Sequence, residues 1–256
     1  MIELNAKPTW VLVPKRKGET VLFLHGGMSS SASLLDSLGP HLKKKFRLAA
    51  FDRRGHGRSP DNERPFHYAE MADDTIAFIE HLGRRVHLVG HSDGGNVALL
   101  VVLKRPDLVK RAVVIGANYN HRGLLPMAPM RVGTPSFQQW SEKYAAQSPD
   151  DIGHAEVVLK KSLRLFAREP KLYREDFYRV RRPVLVMAGD DDVAKLSHTC
   201  ALFEAMPDAQ LAIIPGASHG VLKEQTALCA AMIERFLTQA LPPETLAPTR
   251  RAPSND

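Results

Sequence analysis

The sequence predicts an α/β fold, with a mostly parallel central sheet, helices on both faces and a small helical cap. Three features carry that prediction. Short apolar, β-branched runs recur along the chain and stop at Gly, Pro or Asp. Helical patterns lie between them. One long stretch, 119–180, breaks the alternation. Runs that are apolar throughout read as strands buried on both faces. Parallel strands need long crossovers, and the helices in those crossovers cover the sheet.

The elements follow in order. Residues 2–13 are expected to add an antiparallel edge strand or hairpin. Thr20–Leu24 is the first buried strand and runs into His25-Gly26-Gly27. The next runs are 46–51, stopping at Asp52; 86–89, stopping at Gly90; 113–115, stopping at Gly116; 184–188, stopping at Gly189; and 211–214, stopping at Pro215-Gly216. Over 68–82, Met71, Ala72, Thr75, Ile76, Ile79 and Leu82 recur at helical spacing. Over 96–103 nearly every residue is apolar, which marks a helix buried on all sides. Over 221–240 the stripe is Cys229, Met232, Ile233, Phe236 and Leu237. The 119–180 stretch holds Pro126, Pro129, Pro135, Pro149 and Pro170 and two helical patterns, roughly 136–147 and 152–168. An insertion of that length between core strands reads as a functional lid. The expected organisation is therefore a core in two parts, 1–118 and 181–240, split by a cap over 119–180. A Pro-rich, disordered tail follows over 241–256.

Composition narrows the function classes. The chain has 256 residues, 44% apolar and 25% charged, close to a globular average and long enough to bury a core without disulfides. No apolar run reaches the ~18 residues a membrane span needs, and no basic segment followed by an apolar one opens the chain as a secretory signal does. The net charge of +7, from 35 Lys and Arg against 28 Asp and Glu, is scattered: Lys15-Arg16-Lys17, Lys43-Lys44-Lys45, Arg84-Arg85, Arg181-Arg182. A nucleic-acid reader concentrates such charge on one face, so neither a nucleic acid nor a membrane is expected as a partner. Cys200 and Cys229 have no metal-ligand spacing and read as free thiols in a reducing, cytoplasmic compartment. No cofactor and no metal is expected, and the oligomeric state is not encoded in any pattern.

The chemistry lies in Gly90-His91-Ser92-Asp93-Gly94-Gly95, a G-x-S-x-G sequence between a buried strand and a buried helix. A sharp strand-to-helix turn pushes the serine hydroxyl out of the sheet, and glycines on both sides remove the Cβ atoms that would block it. A serine hydroxyl needs a base within hydrogen-bond reach, and the base needs an orienting acid. Downstream lie Gly189-Asp190-Asp191-Asp192 and then Pro215-Gly216-Ala217-Ser218-His219, each just beyond a strand end, where open α/β sheets carry their ligands. Asp190, Asp191 and Asp192 are the acid candidates and His219 the base. His25-Gly26-Gly27-Met28 supplies a candidate oxyanion turn, with the backbone N–H groups of Gly27 and Asp93 as donors and Met28 as the alternative by one position. Blander roles exist for each: Ser92 as an N-cap, the three aspartates as a cation cluster, and Asp93 as an acid at a helix N-terminus. In the same plain reading, His91 packs near the turn. Arg53, Arg54 and Arg58 brace the loop after Asp52, His25 bonds local backbone, and the Met127–Met130 stretch lines or packs an apolar pocket.

Taken together, the HGG turn, GHSDGG, GDDD and PGASH resemble the α/β-hydrolase fold superfamily over roughly 20–237, and Asp52 to Ser59 resembles that superfamily's loop after its next strand. The resemblance implies an α/β-hydrolase fold and a serine hydrolase acting on a small-molecule carboxylic ester or related acyl compound. It implies Asp192 as the acid, from the family's G-x-x-D pattern, and the 119–180 segment as the cap. Lactonase, carbon–carbon hydrolase and perhydrolase chemistry share that triad, and a non-catalytic small-molecule receptor can retain it. Ser92-Asp93-Gly94-Gly95 with Gly116-Ala117-Asn118 is also similar to the valacyclovir-hydrolase type of amino-acid ester hydrolase. That likeness implies a substrate ammonium on Asp93; Met28, on the candidate oxyanion turn, is separately a candidate substrate-binding residue. Gly27 departs from the type, which carries a bulkier residue there.

Overall fold

The computed structural model describes residues 1–15, 18–126, 128–240, 243 and 245–247. All but four residues of the expected tail over 241–256 lie outside the described residues, as do Met127, Arg16 and Lys17.

Strands β1 (Ile2–Leu4) and β2 (Lys7–Thr9) form an antiparallel hairpin. The main sheet holds β3 (Val11–Leu12), β4 (Thr20–Leu24), β5 (Arg47–Phe51), β6 (Val86–His91), β7 (Val109–Ile115), β8 (Val184–Asp191) and β9 (Gln210–Ser218) in the order β3-β5-β4-β6-β7-β8-β9. Only β3 runs antiparallel; every other neighbouring pair is parallel. The helices are α1 (Ala32–Ser37), α2 (Gly39–Leu42), α3 (Tyr68–His81), α4 (Asp93–Lys104), α5 (Pro135–Ala145), α6 (His154–Phe166), α7 (Leu196–Ala205), α8 (Val221–Glu224) and α9 (Thr226–Thr238). This is the α/β-hydrolase fold, with the sheet sandwiched between two apolar layers. On one side Leu22, Leu88 and Val114 pack with Phe78, Ile79 and Val101 from α3 and α4. On the other, Val21, Phe23, Val113 and Met187 pack with Leu34, Ile233 and Phe236 from α1 and α9. The alternation of neighbouring strand residues between these layers is the two-sided burial that the unbroken apolar runs imply.

Some boundaries differ from the sequence reading. β9 continues past Pro215-Gly216 because a register shift between Gly189 and Asp191 lets Asp191 pair with Ser218. The 221–240 helix is two helices, broken at Gln225, whose φ of −131° is not helical. The serine-rich stretch after Met28 folds into α1 and α2, short helices without a side-chain N-cap bond.

The 119–180 segment, between β7 and β8, carries α5 and α6. It is tied to the loop after β5 through Asp61, whose side chain is fully buried. Asp61 accepts Arg54 Nη1 at 2.7 Å, His154 Nε2 at 2.9 Å and Lys161 Nζ at 2.6 Å. No helix among the described residues is long and apolar enough to cross a membrane.

Candidate functional site

Five parallel strands end on one edge of the sheet, and each delivers one part of the site. β6 ends in a turn at Ser92, whose φ of +53° lies in the left-handed region. An L-residue is strained there and needs rigid surroundings. They are rigid because the backbone is packed to contact. A Cβ on Gly90 would sit 2.2 Å from the Gly94 carbonyl oxygen, and one on Gly94 1.9 Å from that of Leu24. The Ser92 N–H donates to the Ile115 carbonyl at 2.8 Å, and the Ser92 carbonyl accepts from Gly95 and Asn96 to start α4.

His219 follows β9. Its Nε2 lies 3.0 Å from Ser92 Oγ, and its Nδ1 lies 2.8 Å from Asp192 Oδ1. Of the three adjacent aspartates, Asp192 is the one at His219. Asp190 accepts the Ala217 N–H instead, and Asp191 pairs with Ser218 in the sheet. Among the described residues no group of three or more His, Cys, Asp or Glu is placed to hold a metal ion. Burial pushes the Asp192 carboxyl up, but the His219 hydrogen bond and charge, with the Ala194 N–H, outweigh it and hold the acid below its usual range. His91 also reaches the site, with Nε2 2.9 Å from the His219 carbonyl oxygen. Burial, then the neighbouring His219, lowers His91 to about 4. The neutral ring therefore donates to that carbonyl and helps fix the loop.

β4 ends in His25-Gly26-Gly27-Met28. Here the structure gives Arg53 and His25 a reach beyond bracing and local bonding. Arg53 is buried and donates Nη1 to the His25 carbonyl at 2.5 Å and Nη2 to the Gly26 carbonyl at 3.0 Å. The Arg53 N–H donates to His25 Nε2 at 3.1 Å, so the ring proton sits on Nδ1 and is given to the Gly26 carbonyl at 2.7 Å. Burial, then the Arg53 charge, keeps His25 neutral by pushing it well below its ordinary value. In a trans peptide the N–H points opposite to the C=O. Fixing the Gly26 carbonyl therefore aims the Gly27 N–H the other way. Arg58 and Arg54 serve the loop itself, pairing with Asp52 and Asp61.

Asp93 is buried, and its Oδ1 accepts the Tyr68 hydroxyl at 2.7 Å. Burial raises its carboxyl above the ordinary value, with Arg53 and Tyr68 holding back part of the rise. A Cβ on Gly27 would lie 2.5 Å from Asp93 Oδ2. Gly27 is thus small because the carboxylate occupies that space, which accounts for its departure from a bulkier residue.

Two cavities meet at Ser92 and His219. One, about 320 Å³, has apolar walls of Leu124, Phe166 and Val193 and the acids Asp93 and Glu169. Glu169 accepts from the Tyr68 N–H and lies 2.7 Å from His67 Nδ1. The other, about 270 Å³, shares Ser29, Ser33, Ser37, Leu222 and Lys223 with an outer groove of about 690 Å³ that Met28, Trp140 and Lys143 also line. Met130 lines neither cavity nor the groove, and Met127 is outside the described residues. Tyr68, Glu169, Phe166 and Trp140 have no local motif. Each arrives from a part of the chain remote from Ser92 in sequence, so no local signal could have marked it as part of the site.

Comparison with known proteins shows the family. The model of the alpha/beta hydrolase family matches residues 21–232. The chain is similar to a putative carbamate hydrolase RutD of Caulobacter sp. (strain K31), 28% identical over 250 residues covering 88% of this chain and 92% of that one. It is similar to the serine hydrolase BPHL of Mus musculus, 29% identical over 226 residues covering 80% and 75%. In fold it is similar to a meta-cleavage product hydrolase, CumD, of Pseudomonas fluorescens IP01, with a TM-score of 0.73, 21% identity, and 92% and 96% of the two chains covered.

Proposed function

The chain belongs to the alpha/beta hydrolase family, and on that premise we propose that it is a serine hydrolase cleaving a small carboxylic ester or related acyl compound through an acyl-enzyme on Ser92. The observation that carries this reading is the continuous path from Ser92 Oγ to His219 Nε2, 3.0 Å, and from His219 Nδ1 to Asp192 Oδ1, 2.8 Å. Ser92 Oγ attacks the carbonyl carbon and its proton passes to His219 Nε2. Asp192 holds the imidazole with its proton on Nδ1 and balances the imidazolium charge. The N–H groups of Gly27 and Asp93 donate to the oxyanion. Collapse of the tetrahedral species breaks the bond to the leaving group, which departs with the His219 proton. A water activated by His219 then hydrolyses the acyl-enzyme and restores Ser92. Ser92→Ala is expected to leave a folded protein with turnover lowered about 10⁵–10⁶-fold. Near-normal esterase activity in that variant overturns the reading. A fluorophosphonate that leaves Ser92 unlabelled points instead to a receptor that binds without turnover.

The cavities support a substrate with unlike ends. The 320 Å³ cavity suits a compact acyl group, and its two acids suit a cation on that group, as in an amino-acid ester. Asp93, which makes no salt bridge among the described residues, gains a charge-assisted hydrogen bond when an ammonium enters. The serine-lined cavity and outer groove suit a polar leaving group. Because relatives include proteins named for carbamate hydrolysis, the deciding measurement is one panel of aminoacyl esters, plain esters, carbamates and lactones. Preference for aminoacyl esters supports the acidic cavity as the acyl site, whereas preference for a plain ester, a carbamate or a lactone removes that assignment.

A further inference from the structure

We infer that Trp140, on the first helix of the 119–180 segment, is a positioning residue for the oxyanion-binding turn. The inference rests on the proposed role of Gly27 as a donor. Two successive glycines, Gly26 and Gly27, leave this turn with wide conformational freedom, yet an oxyanion donor works only when its direction is fixed beforehand. Upstream of Gly27, the Gly26 carbonyl is fixed by the core through Arg53 and His25. Downstream stands Met28, whose φ of +53° is a left-handed conformation that a non-glycine residue keeps only when its neighbours impose it. The neighbour here is Trp140, whose Nε1–H donates to the Met28 carbonyl at 2.7 Å from 112 residues away. The indole is itself seated between Phe137 and Tyr144, with ring centroids 6.0 and 5.7 Å away. A second contact from the same segment presses on the turn: a Cβ on Gly27 would lie 2.7 Å from Phe166 Cζ, on α6. Core and segment thus grip the turn from its two ends, and the segment's hydrogen bond to it comes from Trp140.

The test uses Trp140→Phe, which keeps an aromatic ring between Phe137 and Tyr144 and removes the N–H. A second form carries benzothienylalanine at position 140, which keeps the bicyclic shape and replaces only the N–H by sulfur. Hydrolysis of p-nitrophenyl acetate is measured beside inhibition by phenylboronic acid, whose adduct with Ser92 is tetrahedral and anionic, and by p-nitroacetanilide, a neutral planar analogue. Both variants are expected to lower kcat about 10- to 100-fold, less than the about 10²–10³-fold of deleting a donor outright, with KM within about threefold. Boronate affinity should fall by the same factor as kcat/KM, and anilide affinity should not move. Unchanged kcat, or equal weakening of boronate and anilide, overturns the positioning role and leaves Trp140 as a wall of the groove. Full activity of Ser92→Ala would instead remove the parent reading, so the two failures are distinguishable.

Discussion

Around Ser92, the turn from β6 into α4 is closed by main chain against main chain. Glycines at 90 and 94 let the Gly94 and Leu24 carbonyls sit where Cβ atoms would be. The turn after β4, His25 to Met28, is held by side chains: Arg53 and His25 from below, Trp140 from the 119–180 segment. One turn is a steric fit within a short stretch of chain, and the other is a hydrogen-bonded assembly of residues far apart. A steric fit fails as a whole when one atom is added. A hydrogen-bonded assembly loses its support one partner at a time.

The largest expected effect breaks the first kind. In Gly94→Ala the added methyl meets backbone at 1.9 Å, where no side chain can swing aside. Urea unfolding should show a loss above about 3 kcal/mol, and a loss within about 1 kcal/mol refutes the steric account. Next is Arg53→Met, which leaves the Gly26 carbonyl with His25 alone of its two donors while leaving the elbow intact. Turnover should fall about 10²-fold, and phosphonate labelling should slow in step. Normal turnover in a folded Arg53→Met protein means that the guanidinium does not orient the Gly27 peptide.

Asp93→Asn is more selective. If Asp93 receives an ammonium, kcat/KM for an aminoacyl ester should fall about 10- to 100-fold while the matching plain ester changes little. An equal loss on both removes the ammonium. The smallest effect is on stability against pH. His56 is buried beside His25, with ring centroids 5.3 Å apart, and burial, then Arg53, lowers it from 6.5 to about 4. The unfolded chain therefore takes up this proton first. Its contribution is fully present above about pH 6.5 and is lost as the pH falls toward 4. From pH 7 to pH 5 the His56→Asn protein should lose about 1–2 kcal/mol less than the parent chain. Parallel losses would show that the imidazole does not carry the acid sensitivity.

The same contrast explains how far the sequence could be read. The elbow is a contiguous pattern with a buried strand before it and a buried helix after it, so Ser92 and its neighbours were legible. His219 and the aspartates were legible because strand ends mark where they emerge. Periodicity could not choose among Asp190, Asp191 and Asp192; the family pattern did, and Asp192 is the one within hydrogen-bond reach of His219. The support of the second turn was not legible. Trp140 reads as one aromatic on an amphipathic helix, and Arg53 as one of several arginines beside a glycine-rich loop. Nothing local records which carbonyl each will find. The break at Gln225 and the short α1 and α2 were missed for a related reason, since apolar periodicity carries across one non-helical residue and serines read as loop.

Asp61 sets the boundary of what can be exchanged between relatives. Its carboxylate is shared by Arg54 on its own loop and by His154 and Lys161 on α6. A chimaera that imports a foreign 119–180 region alone would strand that acid with two of its three partners gone, at a cost of several kcal/mol. The transplantable unit is therefore discontinuous. Residues 54–66 travel with 119–180, and a designer who respects that seam can exchange the segment without unsettling the sheet beneath it.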